Sequence, residues 1–134
     1  MCQWLGHHGR MALDLLPPAP AASTGCCAPA TGESMSAQDA ERTARTLKAL
    51  ADPTRLRLLS IIAAHDGGEA CVCDLTEPVG LSQPTVSHHL RVLTEAGFVT
   101  RDKRGVWAYY TLVPDALREL TAHLGEHLLG RVDA

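Results

Sequence analysis

The sequence predicts a mainly α-helical domain with one small β-hairpin, arranged as a winged helix-turn-helix that forms a homodimer. Three observations support this fold class. Apolar residues recur at helical spacing over most of residues 36–130, a glycine separates two short helical segments, and a strand pair with a basic turn follows them. The chain has 134 residues, which suits a single domain.

The first predicted helix begins after Ser36, a capping residue that has Asp39 in the following turn. The step Asp52-Pro53 ends this helix and begins the second, because proline is well placed at the first helical position. The apolar positions of the first helix are Ala40, Ala44, Leu47, Leu50 and Ala51. The predicted buried stripe of the second helix is Leu56, Leu59, Ile62 and Ala63.

A short third helix is predicted from about Cys71 to Val79, and Gly80 then makes a tight turn. Ser82 caps the fourth helix, which tolerates Pro84 in its first turn. The predicted inner face of the fourth helix consists of Val86, Leu90 and Leu93. A short helix, a glycine turn and a capped helix together make a helix-turn-helix.

The periodicity then changes from helical to alternating. Residues 99–102 and 106–112 are predicted strands, joined by the polar turn Lys103-Arg104-Gly105. A basic hairpin directly after a helix-turn-helix is a wing. In its second strand one side carries Trp107, Tyr109 and Thr111, and the other carries Val106, Ala108, Tyr110 and Leu112.

A last helix is predicted from Pro114, with an apolar stripe made of Leu117, Leu120, Leu124 and Leu128. The stripes of the first and last helices are long for a domain of this size. They predict burial against a second subunit.

Residues 1–35 differ from the rest of the chain. Residues 17–32 (PPAPAASTGCCAPATG) show no helical or strand period, which predicts a flexible N-terminal arm that carries Cys26 and Cys27. The predicted organisation is therefore an arm at 1–35, the winged helix-turn-helix domain at 36–130, and a short tail at 131–134.

Charge is segregated along the chain. The net charge of −3 excludes a protein that coats nucleic acid by bulk charge. Between residues 82 and 110, however, bases outnumber acids, whereas residues 66–77 hold four acids and no base. Such segregation is typical of a protein that presents one face to phosphates.

The fourth helix begins with short polar groups that can contact base edges or phosphates in a major groove. Together with the bases of the fourth helix and the wing they form the predicted DNA-binding set. It consists of Ser82, Gln83, Thr85, Ser87, His88, Arg91, Arg101, Lys103 and Arg104. The neighbouring His89 adjoins the apolar stripe, which predicts a packed and hydrogen-bonded side chain.

Five cysteines are an odd number and are clustered, which excludes a closed disulfide framework. Cys26 adjoins Cys27, Cys71 is two residues from Cys73, and Cys2 has no assigned role. Such pairs indicate metal binding or redox activity in a cytoplasmic protein. We expect a cytoplasmic location for two reasons. Asp14 and two prolines interrupt the apolar segment that a signal peptide requires, and no apolar run reaches the roughly 20 residues of a membrane span.

Several motifs together resemble the ArsR/SmtB family of bacterial metal-sensing repressors. They are KALADPTRLRLL (48–59), GLSQPTVSHHLRVL (80–93), EAGFV (95–99) and RGVWAYY (104–110), in the order and spacing of that family. The resemblance covers roughly residues 40–128. It implies a homodimeric winged-helix repressor that binds palindromic operator DNA when metal-free and leaves it when metal binds. It also implies no enzymatic activity, and the sequence has no phosphate loop or paired-carboxylate cleft.

Cys71 and Cys73 can converge on one ion, but As(III) requires three thiolates, and Cd(II) or Pb(II) three or four. Thr76 stands where arsenic-sensing relatives place a third cysteine. The predicted metal ligands are therefore Cys71, Cys73, Cys26 and Cys27, with the arm reaching its own or the partner subunit's third helix.

The chain needs no permanent cofactor on this interpretation, and its inducer is As(III)/Sb(III), with Cd(II)/Pb(II) as the alternative. A repressor that senses oxidants through its cysteine pairs is a further alternative. His123 and Glu126 resemble half of a zinc site of the family, but the matching Asp-x-His pair is missing, because Leu117 follows Asp115 at the second position. These residues are expected to be ordinary exposed helix residues.

Overall fold

The computed structural model describes residues 32–130 of the chain. Within this range five α-helices and three β-strands follow one another, with a short 3-10 turn at Asp66–Gly68. The elements are α1 (Ala37–Leu50), α2 (Pro53–Ala64), β1 (Glu69–Cys71), α3 (Val72–Val79), α4 (Gln83–Glu95), β2 (Val99–Arg104), β3 (Trp107–Leu112) and α5 (Pro114–Leu128). No helix of the described residues is long and apolar enough to cross a bilayer.

Both predicted caps of the first two helices are confirmed. The Asp39 amide donates to Ser36 Oγ at 3.0 Å, and the Arg55 amide donates to Asp52 Oδ1 at 3.0 Å. The Arg55 N–H holds the pKa of Asp52 below its ordinary value, because it stabilises the ionised carboxylate. The caps satisfy amides that would otherwise lack partners at the helix starts.

The predicted stripe of α2 is partly wrong. Leu59 and Ile62 are buried as expected, but Leu56 is 53% exposed and Ala63 is exposed, whereas Leu58 is fully buried. The buried side of α2 is therefore rotated toward Leu58, because this helix packs against both helices of the helix-turn-helix and against β3.

The apolar positions of α1 lie mainly outside the core of the described chain. Thr43 and Ala49 are its buried residues. Of the predicted apolar positions, Leu50 is half-buried and the exposed ones are Ala40, Ala44, Leu47 and Ala51. On α5 only Leu120 is buried, and Leu128 is 69% exposed. Both terminal helices thus keep apolar surface that residues 32–130 do not themselves cover.

Strand β1 was not predicted from the sequence. It has three residues and pairs antiparallel with β3, so that the sheet order is β1-β3-β2. The predicted third helix accordingly begins at Val72 rather than Cys71, and Cys71 is both the last residue of β1 and the N-cap of α3. A strand this short shows too little alternation to be detected by periodicity.

The hairpin is confirmed with longer first and shorter second strands than expected. Arg104 pairs with Trp107 across the turn, so the turn residues are Gly105 and Val106 rather than 103–105. Gly105 has a φ of +64°, a left-handed conformation that glycine adopts without strain. Ladder pairing thus extends into the basic residues of the wing.

One core joins the helix-turn-helix to the sheet. The inner face of α4 is buried as predicted. The largest fully buried side chains are Phe98, Leu58, Ile62, Leu75, Leu90, Leu93, Val86 and Val99. Helices α3 and α4, joined at Gly80 and followed by the hairpin, form the predicted winged helix-turn-helix.

Candidate functional site

A cleft of about 430 Å³ separates α4 from the wing. Its α4 wall carries Gln83, Ser87 and Arg91, and its wing wall carries Arg101 and Lys103. The remaining lining residues are Val72, Thr94, Val106, Trp107, Ala108 and Tyr110. Five of the nine predicted DNA-binding residues therefore meet in one polar, basic groove.

The wing divides its basic residues between its two faces. Arg101 is the register partner of Tyr110 and Lys103 that of Ala108, so these two bases share the face that lines the cleft. Arg104 is one residue further along and therefore points to the opposite face, since side chains alternate along a strand. It does not line the cleft.

Carboxylates compensate the charge of Arg104. Its guanidinium donates from Nη1 and Nη2 to the two carboxylate oxygens of Glu69, at 2.7 and 2.9 Å, and from Nε to Asp102 Oδ2 at 2.9 Å. The group also lies over the Tyr109 ring, 4.6 Å from its centroid. These bonds raise the pKa of Arg104, with Glu69 the larger cause, and Arg104 in turn lowers the pKa of Glu69.

The outer residues at the start of α4 are accessible. Ser82, Gln83, Thr85 and His88 are exposed, and Ser87 is half-buried at the cleft. Ser82 occupies the N-cap position as predicted, but its hydroxyl bonds the Thr85 hydroxyl at 2.9 Å instead of a backbone amide. Amides at the start of α4 consequently lack a side-chain cap from Ser82, and amides in this position suit a phosphate oxygen.

His89 is packed as predicted, but the hydrogen bond expected for it is not formed. Its side chain is 16% exposed, and its Nδ1 lies 3.9 Å from Asp52 Oδ1, beyond hydrogen-bond distance. Nδ1 is the buried side-chain polar atom left without a partner among the described residues. His89 therefore belongs to the packing between α4 and the start of α2, away from the cleft.

A second cluster lies where β1 becomes α3. Ligand atoms of Cys71, Cys73 and Asp74 all lie within 4.8 Å of one another. The two sulfurs are in direct contact and form a disulfide, and the Cys73 amide donates to Cys71 Sγ at 3.4 Å. Cys71 is 4% exposed, whereas Cys73 and Asp74 are exposed.

This cluster supplies two sulfurs and one carboxylate at a helix start, where the helix dipole favours thiolates. Two sulfurs do not complete a pyramidal As(III) site. The other predicted ligands, Cys26 and Cys27, lie outside the described residues, as does Cys2. Thr76 bonds the Cys73 carbonyl through its hydroxyl at 3.0 Å and is thus occupied within α3.

The two histidines of α5 lie side by side. The rings of His123 and His127 stack edge-on with centroids 4.5 Å apart. In residues 32–130 the only group of three potential metal ligands is the one at Cys71, so neither His123 nor Glu126 belongs to such a group within this range.

Sequence reasoning missed two residues of the site. Val72 stands between the cysteines and lines the cleft, and Glu69 binds Arg104 across the sheet. Both depend on β1, whose pairing with β3 brings residues 69–72 beside the wing. The acidic stretch at 66–77 contained Glu69 but gave no sign of its partner.

Comparisons with known proteins agree with this geometry. The family model described as "Bacterial regulatory protein, arsR family" matches residues 52–101, from the cap of α2 into β2. An uncharacterized HTH-type transcriptional regulator from Methanocaldococcus jannaschii is 41% identical over 80 residues, which are 60% of this chain and 88% of that protein.

Two further relatives are named for metal resistance. A putative arsenical resistance operon repressor from Halobacterium salinarum is 45% identical over 89 residues, or 66% of this chain and 72% of that protein. A cadmium resistance transcriptional regulatory protein homologue from Staphylococcus aureus is 36% identical over 77 residues, or 58% of this chain and 62% of that protein.

Among solved structures, a winged helix-turn-helix DNA-binding domain from Mycobacterium bovis, a possible ArsR-family transcriptional regulator, is described as homodimeric. It matches with a TM-score of 0.54 and 28% identity, over 72% of this chain and 94% of that domain.

Proposed function

Because this chain belongs to the ArsR family of bacterial regulatory proteins, and is therefore a transcriptional regulator and not an enzyme, we propose that it is a repressor that thiophilic ions release from operator DNA. The ion proposed is As(III) or Sb(III), with Cd(II) or Pb(II) as the alternative. Relatives named for arsenical and for cadmium resistance support either choice.

One observation carries the proposed mechanism. Val72 lies between the two cysteines in sequence and is among the residues that line the cleft between α4 and the wing. An ion held by Cys71 and Cys73 fixes the residues on both sides of Val72. Ion binding at the thiols thereby favours one separation of the two cleft walls over another. Because DNA binding depends on the same separation, the ion changes the affinity for DNA.

The DNA-bound form is proposed to be a homodimer. The exposed apolar residues of α1 and α5 provide surface that a second copy can bury, as in the homodimeric domain from Mycobacterium bovis. A two-fold dimer places its two α4 helices about one turn of DNA apart, which matches a palindromic operator.

Titration of the air-free, reduced protein with arsenite and, separately, with Cd(II) tests the ligand set. Thiolate-to-metal absorption is followed for the wild type and for a Cys26→Ser/Cys27→Ser double variant. We expect one ion per subunit in the wild type and a much weaker complex in the double variant, because Cys71 and Cys73 supply only two sulfurs.

Unchanged binding by the double variant would confine the site to Cys71 and Cys73, with Asp74 as the nearest further ligand. Absence of binding in the wild type would overturn the metal-release proposal. The ion bound more tightly identifies the class of inducer.

The division of the wing's bases between two faces predicts different effects on DNA affinity. Lys103→Ala is expected to weaken binding to all duplexes about equally and to reduce the salt slope by about one, as for a phosphate contact. Arg104→Ala is expected to change the salt slope less, because Glu69 and Asp102 already neutralise this arginine.

Measuring DNA affinity from about 50 to 200 mM salt for both variants decides this point. Equal losses of slope in the two variants would show that Arg104 leaves its carboxylates to contact phosphate. That outcome would support the DNA contact that the sequence predicts for Arg104.

A second candidate function is thiol-redox sensing. The disulfide between Cys71 and Cys73 favours it, because reversible formation of this bond would remove both thiolates from ion binding. Mild peroxide treatment followed by dithiothreitol distinguishes the two functions: a redox sensor loses DNA on oxidation and regains it on reduction without any metal.

A further inference from the structure

Glu69 links β1, the strand that ends at Cys71, to the wing on the face of the sheet that points away from the cleft. Residues that face each other in an antiparallel ladder have side chains on the same side. The registers Glu69 with Thr111 and Cys71 with Tyr109 therefore place all four side chains on one face. Asp102 pairs with Tyr109 and Arg104 with Trp107, so both belong to this same face.

The contacts on this face hold Glu69 from two strands. Both of its carboxylate oxygens accept from the Arg104 guanidinium, and Thr111 Oγ1 donates to Oε2 at 3.1 Å. A planar guanidinium and a carboxylate paired through two bonds have a fixed relative orientation, which a single bond to a flexible side chain would not give.

The position of Arg104 makes this pair relevant to the wing. Arg104 is the last residue of β2, directly before the turn, and it pairs with Trp107, the first residue of β3, at the tip of the wing. Glu69 is two residues before Cys71 in the same strand. The pair thus spans from the tip of the wing to the strand that ends at the thiol cluster, with Tyr109 beneath the guanidinium.

We propose that Glu69 is a positioning residue for the wing, and that its bidentate pair with Arg104 transmits movement of the Cys71 strand to the wing tip. This inference rests on the proposed function for its ligands, DNA and a thiophilic ion. Glu69 itself contacts neither ligand. It acts by holding the hairpin in the orientation that allows Arg101 and Lys103 to approach DNA together with α4.

Glu69→Gln tests the proposal in the full-length, reduced protein. The substitution removes a negative charge, so electrostatics alone would strengthen DNA binding. A positioning role instead predicts affinity about threefold to tenfold weaker in the absence of metal, for a duplex that the wild type selects from a random pool. Glu77→Gln is the matched control, because Glu77 is an exposed carboxylate of α3 with no ion pair within the described range.

A double-mutant cycle isolates the pair. Arg104→Gln should weaken binding about as much as Glu69→Gln, and the double variant should be no weaker than either single variant, since each single change already breaks the pair. Additive losses, or a Glu69→Gln affinity equal to that of Glu77→Gln, would overturn the proposal.

Two further readouts separate this inference from the proposed function. Acrylamide quenching of Trp107 fluorescence, in a Trp4→Phe background, needs no DNA and should increase in Glu69→Gln as the wing loosens. Unchanged quenching would also count against a positioning role.

The ratio of DNA affinities without and with arsenite should fall toward one in Glu69→Gln, while arsenite absorption stays as in the wild type. Equal ratios in the two proteins would refute the transmission. A wild type that neither arsenite nor Cd(II) releases would refute the proposed function instead, and the quenching result would still decide the role of Glu69.

Discussion

Replacing Cys73 by serine is expected to abolish release from DNA by arsenite while leaving metal-free DNA binding intact. Cys73 is exposed and lies outside the core, so the change to the smaller, isosteric serine disturbs no packing. Its backbone amide, which donates to Cys71 Sγ, is retained. A serine hydroxyl is a poor ligand for soft ions, and the loss of one of the two sulfurs at the start of α3 removes the anchor for the metal.

The measurement is the affinity for a selected duplex with and without arsenite, under reducing conditions. In the wild type we expect a reduction of about 5- to 150-fold, the usual range of allosteric coupling. In Cys73→Ser the ratio should be close to one.

Cys2→Ser is the matched control, because Cys2 has no role in the proposed site and its loss should leave release unchanged. Normal release from Cys73→Ser would place the inducer elsewhere in the protein. Cys73 is preferred to Cys71 for this test, since Cys71 is buried and caps α3, so its replacement mixes a structural effect with a chemical one.

The helices of the domain could be predicted because their ends carry explicit chemical signals. Ser36 and Asp52 accept from amides at the starts of α1 and α2, and Gly80 adopts the left-handed conformation that ends α3. Such caps are local, and the residue types alone indicate them. The side of each helix that is buried is decided by its neighbours, which explains why Leu56 was assigned to the core incorrectly.

The site could be predicted only in part, because its two halves depend on different kinds of information. The polar groups of α4 and the bases of the wing follow from motif and charge. The sheet face on which a base lies depends on register: the predicted turn at 103–105 gave Arg104 no face, whereas β2 extends through Arg104 and places it on the side away from the cleft. Without β1 the sequence also offered no reason to pair Glu69 with the wing.

The strand β1 and the residue that follows it bring several parts of the proposed site together. Glu69 holds the wing, Cys71 belongs to the thiol cluster, and Val72 lines the cleft directly after the strand. Three of the four residues 69–72 thus belong to the wing pair, the thiol cluster and the cleft. A small shift of this strand on ion binding at the thiols is enough to alter both walls of the cleft, because packed interfaces respond as units.

Phe98→Ala is expected to lower the free energy of unfolding by about 3–5 kcal/mol, the usual cost of deleting a buried phenyl ring. Phe98 is the largest side chain that is fully buried in the described residues, and it connects α4 to the sheet. Its amide donates to the Leu93 carbonyl at 3.0 Å, and its carbonyl accepts from the Val113 amide at 2.9 Å. These backbone bonds survive the substitution, so the loss reports the ring alone.

Since domains are stable by only about 5–15 kcal/mol, this single change should shift the urea midpoint by a large part of its value. Unfolding is followed by circular dichroism at one fixed protein concentration, because dimerisation contributes to apparent stability.

Phe98→Leu, which retains most of the side-chain volume, should lose much less unfolding free energy, and it keeps the test informative if the alanine variant does not fold. Leu56→Ala, at a position 53% exposed, is the surface control and should stay within about 0.5 kcal/mol of the wild type. A Phe98→Ala variant as stable as that control would mean that the ring does not join α4 to the wing sheet, and that the cleft is held together from its helical side alone.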